Sequence, residues 1–591
     1  MRLPGSVAAA FCATLADEWA RAGVSRAVVC PGSRSTPLAV ALVAEPRMEV
    51  EVRLDERGAA FFALGMALAS GRPVVLLTTS GTAAAELHAG VVEAHQARVP
   101  LLVCTADRPP ELHHVGAPQT IYQGDLFGRA VRLALDPGVA DDSTRETWRS
   151  LASRAVAEAT CGPFGPGPVH LNLAFREPLL AEAGPLPGGR PDGEPWHAVS
   201  RGTAAARGQV EELARLLSSA RRGLVVAGGG AGAPEPGLLK ELAWRLGWAV
   251  LADPRAGCGT GPPPRRPGAP PVVGAADAIL RHEGFAAAMR PDVVLRVGSL
   301  PASKVLATWM QATALGGARH IGIDPYWAWQ DPGRELSRVV SADPDELLAG
   351  VLAELGPRRA ERGEWAEGWA LAESLAQEAV DGVLAAHEEA TEPGVARLLY
   401  ARAEASSTIV ASSSMPVRDL EWFARPRSDP PRVLANRGAN GIDGVVSTLL
   451  GVAAASPGPT YGLIGDLALL HDASALASGA SDGGPLGELR CVVLDNAGGG
   501  IFSFLPQARE LDPERFEQLF GTPQRPEIAT LLRAYGYSCA ELDTLEGIEG
   551  ALEGEAEGFV VVRTDRRANV RVHDEIAAAV RAGIDGSSLT S

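Results

Sequence analysis

Tyr461–Asp466 reads YGLIGD, and residues 489–502 read LRCVVLDNAGGGIF. An apolar run closing on Gly465-Asp466, a helix-length interval, and a second apolar run closing on Asn496 describe two buried strands joined through a helix. Strands of this kind belong to a parallel sheet covered on both faces. The residues that end them describe a metal–diphosphate clamp. Asp466 offers a carboxylate oxygen, Asn496 an amide oxygen, and a backbone carbonyl among Gly498 to Gly500 a third. Mg²⁺ prefers such oxygen donors and usually shares them with phosphate oxygens. The glycines also allow backbone to approach a phosphate closely. A cofactor held in this way carries the difficult chemistry of the enzyme that binds it.

Outward from this segment the same grammar recurs. Residues 392–591 read as α/β, with strands STIVASS, PTYGLIGD, ELRCVVLDN and FVVVRTD. Residues 1–182 also alternate: a helix near 5–22, then strands RAVVC, MEVEVRL, PVVLLTT and PLLVCTA, with helices ERGAAFFALGMALAS and GTAAAELHAGVVEAHQA between them. Between these lies a third α/β unit, residues 205–357, with strands GLVVAGGG, WAVLADP, DVVLRVGS and RHIGIDP. The expected fold is therefore three doubly wound parallel-sheet domains, two similar ones flanking a different one. The Gly-rich turn after GLVVA lacks the dinucleotide fingerprint spacing and reads as a tight β–α turn. Residues 183–200 read as a Pro/Gly-rich linker, residues 261–271 as a loop, and the charged, Ala-rich stretch 358–388 as a solvated connecting helix.

Composition bounds the function. The 591 residues are 46% hydrophobic and 21% charged, as expected of a globular chain of several domains. A net charge of −17 argues against nucleic acid as the main partner. Seven scattered cysteines without a CxxC pair read as buried thiols of a reducing cytoplasm, and disfavour zinc. VAAAFCATLA near the N-terminus is followed at once by Asp17 and Glu18, so a first helix is expected there rather than a signal peptide. No long apolar stretch free of charges or Gly/Pro breaks predicts a membrane span.

Polar clusters fall where open parallel sheets bind ligands, beyond the carboxyl ends of strands. PGSRSTPL, LDERG, TTSGT and TADRPPEL follow the first four strands, and SSSMPVR and NRGANGIDG occupy such ends in the last unit. Glu56, at a strand-to-helix junction, would ordinarily be a helix-start carboxylate contributing about 0.3–1 kcal/mol through the macrodipole. Beside a diphosphate clamp it has a second reading. Thiamine diphosphate enzymes use a carboxylate facing the aminopyrimidine to activate their cofactor, and a raised pKa would suit that proton sharing.

PGSRSTPL, LDERG, TTSGTA, TADRPPEL, NRGANGIDG, IGDLALL and NAGGGIFSFLP, in order from residue 31 to 506, resemble the menaquinone-pathway thiamine diphosphate enzyme family, the 2-succinyl-5-enolpyruvyl-6-hydroxy-3-cyclohexene-1-carboxylate synthases. The resemblance implies a pyrimidine-binding domain (1–182), a central domain (205–357) and a diphosphate-binding domain (392–591). It implies Glu56 as the cofactor-activating glutamate, and Asp466, Asn496 and the Gly498 carbonyl as ligands of Mg²⁺ or Mn²⁺. Ser80, Gly81, Thr82, Gly465, Leu467 and Gly499 would also contact thiamine diphosphate. Ile442 would prop its bent form, and Ile501, Phe502 and Leu505 would line the pocket, although plain core packing would look the same at these positions. Arg34, Arg108, Lys304, Arg418 and Arg437, with Ser33, Gln119 and Ser414, would handle substrate carboxylates.

Both implied substrates, 2-oxoglutarate and isochorismate, are dicarboxylates, which suits the planar fork of arginine. The implied activity is decarboxylation of 2-oxoglutarate and 1,4-addition of the resulting succinyl-semialdehyde carbanion equivalent to isochorismate. A homo-oligomer, dimer or tetramer, is expected if the Glu56 unit and the clamp unit meet across copies. One departure favours this family over the wider group: Leu467 follows Gly465-Asp466 where Gly is common. Another leaves the metal open, since Asp495 stands where Asn is common and would either add a carboxylate or simply end the strand. The alternatives are another 2-oxo acid carboligase of the acetolactate-synthase type, for which five cations would be excessive, and a non-catalytic binding module, against which Glu56, Asp466 and Asn496 argue.

Overall fold

Three six-stranded sheets organise the chain, and within each of them every strand pairing is parallel. The computed structural model describes residues 5–200, 204–260, 270–357, 363–478, 488–554 and 558–589. The chain divides into two compact units: Met1–Arg201 with Asn436–Pro457 and Ala468–Gly487, and Gly202–Ala435 with Gly458–Leu467 and Glu488–Ser591. Among the described residues no helix is long and apolar enough to cross a membrane.

The first unit holds one of the six-stranded sheets, in the order Glu49–Val52, Arg26–Val29, Val74–Thr78, Leu101–Asp107, Pro168–Ala174, Leu133–Leu135, and a two-stranded pairing of Gly5–Ser6 with Glu182–Ala183. Its three central strands are apolar and buried along their length, as strands covered by helices on both faces must be. Phe11, Trp19, Trp148 and Phe175 fill one face of the core; each such side chain contributes about 1.5–3 kcal/mol on burial. PVHLNLA, absent from the sequence reading, is one of the central strands: His170 and Asn172 break its apolar run, yet both are buried and hydrogen-bonded. The stretch read as one helix over 81–97 is two, Thr82–Glu86 and His88–Ala97, joined at the buried Leu87.

Helix Glu56–Ser70 has its start fixed by Asp55, whose carboxylate accepts from the Gly58 N–H at 3.2 Å, and its end by Gly71 in the left-handed region. It packs against helix Val445–Ala455 through glycines on both sides. A Cβ on Gly65 would lie 2.2 Å from the Thr448 carbonyl, and one on Gly451 2.1 Å from the Phe62 carbonyl. Any larger residue would force the two backbones apart and tilt the helix that begins with Glu56.

The second unit holds two sheets. One runs Val272–Val273, Ala249–Ala252, Gly223–Ala227, Val293–Val297, Arg319–Ile323, Leu336–Val340; the other runs Arg432–Leu434, Thr408–Ala411, Thr460–Gly465, Leu489–Asp495, Gly558–Arg563, Cys539–Leu542. Counted within each sheet, the clamp-bearing sheet repeats the order of the first unit, 2-1-3-4-6-5, whereas the middle one is 3-2-1-4-5-6. At the turn after Gly223–Ala227, a Cβ on Gly228 would lie 1.7 Å from the Ser299 carbonyl, so backbone itself closes that crevice. Of the stretch read as a loop over 261–271, residues 261–269 lie outside the described residues.

The connecting helix is a correction. It spans Glu364–Leu384, and it is not a solvated connector: Trp369, Ala372, Ala376 and Val380 are fully buried against helix Arg566–Asp585. The apolar stripe at helical spacing outweighs the helix's charges: Glu364, Glu367 and Glu378 are exposed, and Glu373, on the buried side, is met by the Ala275 N–H and Gln377.

Candidate functional site

Each unit carries one part of the predicted site. In the first unit the loops beyond the carboxyl ends of strands Arg26–Val29, Val74–Thr78 and Leu101–Asp107 carry Ser33 and Arg34, Ser80 to Thr82, and Arg108. They flank the point where strand order reverses, the standard ligand position of such sheets. Arg108 donates from Nη1 to the Ser80 hydroxyl and to the Gln119 carbonyl, the latter at 3.2 Å. The Gln119 amide returns a bond to the Ser80 carbonyl at 3.0 Å. Arg34 is buried, donating from Nη1 to the Phe175 carbonyl at 2.9 Å while its Nε–H has no partner. Burial, and then the nearby Arg34 charge, lower the Arg108 pKa. Two partly desolvated guanidiniums in one loop cluster form an anion-binding arrangement. Ser33 and Thr82 are exposed at the same strand ends.

Beneath these loops runs a polar network that the sequence reading missed. Gln123, 1% exposed, accepts from the Gly81 N–H at 2.9 Å and donates to the Ala106 carbonyl and to Asn172 Oδ1. Asn172 donates in turn to Asp107 and Asp136 at 3.0 Å each. The network fixes the Ser80–Gly81 loop to the strand end that carries Arg108.

Glu56 is the first residue of its helix and half-buried; its charge acts on the thiol of Cys30, whose pKa burial and then Glu56 push up. Its neighbours are anchored. Asp55 accepts from the Ser474 hydroxyl at 2.6 Å, and Arg57 donates to the His471 carbonyl at 2.9 Å. Arg437 and Ile442 also belong to this unit, on the segment before helix Val445–Ala455. The buried carboxylate of Glu93 holds that segment by accepting from the Gly438 and Ala439 N–H groups at 2.7 and 2.6 Å. Burial nonetheless raises the Glu93 pKa.

In the second unit the clamp is assembled from two adjacent strands. Asp466 follows Thr460–Gly465, and Asn496 follows Leu489–Asp495. The Asp466 carboxylate accepts from the Leu467 N–H at 2.8 Å and the Gly498 N–H at 2.7 Å. Burial raises its pKa to about 6. Asn496 donates from Nδ2 to Glu392 Oε1 at 2.9 Å, and its Oδ1 is buried with no hydrogen-bond partner. A buried carbonyl oxygen without a donor is costly unless something electropositive meets it. Gly498, at φ +141°, has its carbonyl bonded by the Gly500 N–H at 2.9 Å, which occupies one of two lone pairs. A carboxylate, an orphaned amide oxygen and a backbone carbonyl make a hard oxygen donor set, and they fit a Mg²⁺-type ion. At Gly465 a Cβ would meet nothing within 4 Å, so open space lies beside this strand end. Asp495 turns back to its own strand end, accepting from the Ala497 N–H at 3.2 Å.

Gly499 to Leu505 continue from the clamp. Ile501 and Phe502 are half-buried in a short 3₁₀ helix, Phe502 packs on Phe520 with ring centroids 5.3 Å apart, and Leu505 is exposed. Ser414, at φ +75°, starts helix Met415–Phe423 and offers its carbonyl to Arg418 one turn on. Burial lowers the Arg418 pKa. Lys304 is exposed at the start of helix Lys304–Leu315. Glu421, on the Arg418 helix, accepts from the Ala302 and Ser303 N–H groups just before it at 2.7 and 2.9 Å. Lys304 and Arg418 are thus tied into one framework.

Glu392, Glu93 and Gln123 carry no sequence signal. Each is a single polar residue whose role depends on a partner distant in sequence. Glu392 is buried below Asn496, with its pKa pushed to about 8 by burial and then by Asp419.

Comparison with known proteins places the whole chain in one family. The family model for the thiamine pyrophosphate enzyme N-terminal TPP binding domain matches residues 9–126, the segment holding Glu56, Ser80 and Arg108. A 2-succinyl-5-enolpyruvyl-6-hydroxy-3-cyclohexene-1-carboxylate synthase of Chloroflexus aurantiacus is 40% identical over 587 residues, covering 98% of this chain and 97% of the relative. Synthases of the same name from Bacillus velezensis (38% identical, 96% of each chain) and Halobacterium salinarum (40%, 96% of this chain and 97% of the relative) span it equally. With the likeness running end to end, the chain belongs to the 2-succinyl-5-enolpyruvyl-6-hydroxy-3-cyclohexene-1-carboxylate synthase family.

Proposed function

We propose that this protein is a thiamine diphosphate-dependent transferase of menaquinone biosynthesis. It decarboxylates 2-oxoglutarate and adds the succinyl-semialdehyde carbanion equivalent to isochorismate by 1,4-addition, giving 2-succinyl-5-enolpyruvyl-6-hydroxy-3-cyclohexene-1-carboxylate. The observation that carries the reading is the clamp: a buried Asp466 carboxylate beside an Asn496 oxygen that has no protein partner. Thiamine diphosphate, when bound, supplies the electron sink that 2-oxo acid decarboxylation needs.

The chain's own residues do the rest. Asp466, Asn496 and the Gly498 carbonyl hold Mg²⁺ or Mn²⁺, and Gly465, Leu467 and Gly499 line the diphosphate. Glu56 would share a proton with the aminopyrimidine, Ser80, Gly81 and Thr82 would contact the cofactor, and Ile442 would prop its bent form. Arg34, Arg108 and Arg437 in one unit, and Arg418 and Lys304 in the other, bind substrate carboxylates, each charge-assisted bond contributing about 1.5–3 kcal/mol. Ser33, Gln119 and Ser414 orient them, and Ile501, Phe502 and Leu505 exclude water. The domains are 1–182, 205–357 and 392–591. The protein acts in the cytoplasm as a homo-oligomer, dimer or tetramer, in which Glu56 of one copy serves the clamp of another, with no nucleic-acid or membrane partner.

The test supplies purified protein with thiamine diphosphate, Mg²⁺, 2-oxoglutarate and isochorismate, and follows isochorismate loss together with product mass. Consumption that requires all four components is expected. Consumption of 2-oxoglutarate without transfer to isochorismate would overturn the assigned acceptor.

A further inference from the structure

The polar contacts of Asn496 are divided unequally. Its amide nitrogen is used, donating to Glu392 Oε1 at 2.9 Å, and its amide oxygen is buried and unused. An asparagine amide is nearly symmetric in shape, so only its hydrogen-bond partners decide which end faces which way. Glu392 is 1% exposed in the first turn of helix Glu392–Arg402, remote in sequence from both clamp strands. The same Oε1 also accepts from the Thr564 hydroxyl at 3.0 Å. Thr564 is itself pinned by its backbone N–H to the Asp495 carbonyl at 2.9 Å. The neighbouring Arg566 donates from Nε to the Asn496 carbonyl at 3.2 Å and pairs with Glu517 at 2.7 Å. Backbone and side chain of Asn496 are thus held by Arg566 and Glu392, and those groups are held in turn.

We propose that Glu392 is a positioning residue that fixes the Asn496 amide with its oxygen toward the cation site. The inference rests on the metal reading given above. Without an acceptor at Glu392 Oε1, nothing would hold the amide oxygen toward the cation site, and its NH₂ could take that place. An NH₂ group cannot ligate Mg²⁺ or Mn²⁺. Partners that orient a ligand in this way typically account for about 10–100-fold in metal affinity.

What matters is the acceptor atom, and this sets the test. Glu392→Gln keeps an oxygen able to accept from both Asn496 and Thr564; Glu392→Leu keeps the volume and removes the acceptor. Mn²⁺ is titrated into the full-length protein with saturating thiamine diphosphate, and free Mn²⁺ is read from its electron paramagnetic resonance signal. The expected order is wild type close to E392Q, with E392L about 10–100-fold weaker and D466A showing no binding. The thermal midpoint without metal should fall in E392L, since the Asn496 amide N–H and the Thr564 hydroxyl lose their acceptor, and stay near wild type in E392Q.

Wild-type Mn²⁺ affinity in E392L, or equal losses in E392Q and E392L, would overturn the inference while leaving the metal site standing. Undiminished binding in D466A would instead overturn the metal site itself. If E392L does not fold, Asn496→Asp supplies the second arm, because it sets two carboxylates side by side. E392Q combined with N496D should then bind Mn²⁺ more tightly than N496D alone, and failure to do so would also overturn the inference.

Discussion

Replacing Gln123 by leucine removes a support beneath the first unit's ligand loops, at the backbone of Gly81, without replacing any residue assigned to substrate or cofactor. Gln123 is 1% exposed, and its oxygen is the acceptor for the Gly81 N–H at 2.9 Å. Leucine fills nearly the same volume, so the main cost is a buried N–H left without a partner, about 1–3 kcal/mol. Asn172 Oδ1, which also loses a donor, keeps the Thr105 hydroxyl at 3.0 Å and adds little. A loss near 2 kcal/mol corresponds to a fall of roughly 4–8 °C in the melting midpoint of a unit of this size. The same change frees the loop whose Ser80 anchors Arg108 and Gln119. If about 1 kcal/mol of carboxylate binding depends on that placement, KM for one of the two dicarboxylates rises roughly fivefold, with a smaller change in kcat. Thermal unfolding and steady-state kinetics in each substrate read both effects. An unchanged midpoint together with unchanged KM values for both substrates would refute the claim that this network positions Arg108.

Glu56→Gln should abolish turnover and leave Mn²⁺ binding with thiamine diphosphate intact; full activity in this variant would remove the activation mechanism. Asp466→Ala should eliminate metal-dependent retention of thiamine diphosphate on gel filtration while leaving the melting midpoint of the metal-free protein within a few degrees. Arg108→Lys keeps the charge but loses the fork, and should raise KM for its carboxylate substrate about tenfold, as steady-state kinetics would read. Asp472 gives a pH prediction. It is fully buried, accepts from the Ser447 N–H and hydroxyl at 2.6 and 3.1 Å, and burial raises its pKa from 3.8 to about 6. The folded state therefore holds a proton that the unfolded state has lost between these values. The protonated group's contribution is complete below pH 3.8 and is lost as pH rises through 6, a change of order 3 kcal/mol. Denaturant unfolding between pH 4 and 7 should show that slope in the wild type and a flatter one in Asp472→Asn.

What the sequence made legible was whatever repeats at short range. Apolar runs ending in polar loops located all the central strands of the clamp sheet, and the helix beginning at Glu56 was read with its observed ends. The clamp residues were legible because each sits at a strand end in a recognisable order. Hidden features depend on long-range partners. The polar His170 and Asn172 disguise a central strand, because nothing local reveals that Thr105 and Asp107 satisfy them. The charges on Glu364–Leu384 disguised a helix whose stripe from Trp369 to Leu384 is core. Glu392 begins a helix like many glutamates, and only the fold brings it below Asn496.

The repeated strand order has a chemical consequence. In the first unit's sheet, the loops after strands one, three and four carry Arg34, Ser80–Gly81 and Arg108; in the clamp sheet the same three slots carry Ser414, Asp466 and Asn496. Topology fixes where a ligand group can be presented, beyond the carboxyl ends and beside the reversal of strand order. It does not fix the charge presented there. One copy of the arrangement ends its strands in guanidiniums and hydroxyls, which suit carboxylates, and the other in oxygen donors, which suit a cation and the phosphates it bridges. The middle sheet has the order 3-2-1-4-5-6, and its reversal point is closed by the approach of Gly228 to the Ser299 carbonyl. Gly228→Ala should therefore open that turn and lower stability, since its Cβ would lie 1.7 Å from a backbone oxygen. Thermal unfolding of the variant, set beside its Mn²⁺ and substrate affinities, separates a turn that only supports the sheet from one that also places Lys304. A stability loss with unchanged metal and substrate constants is the expected result. A matching loss of substrate affinity would refute the reading that this turn serves the fold alone.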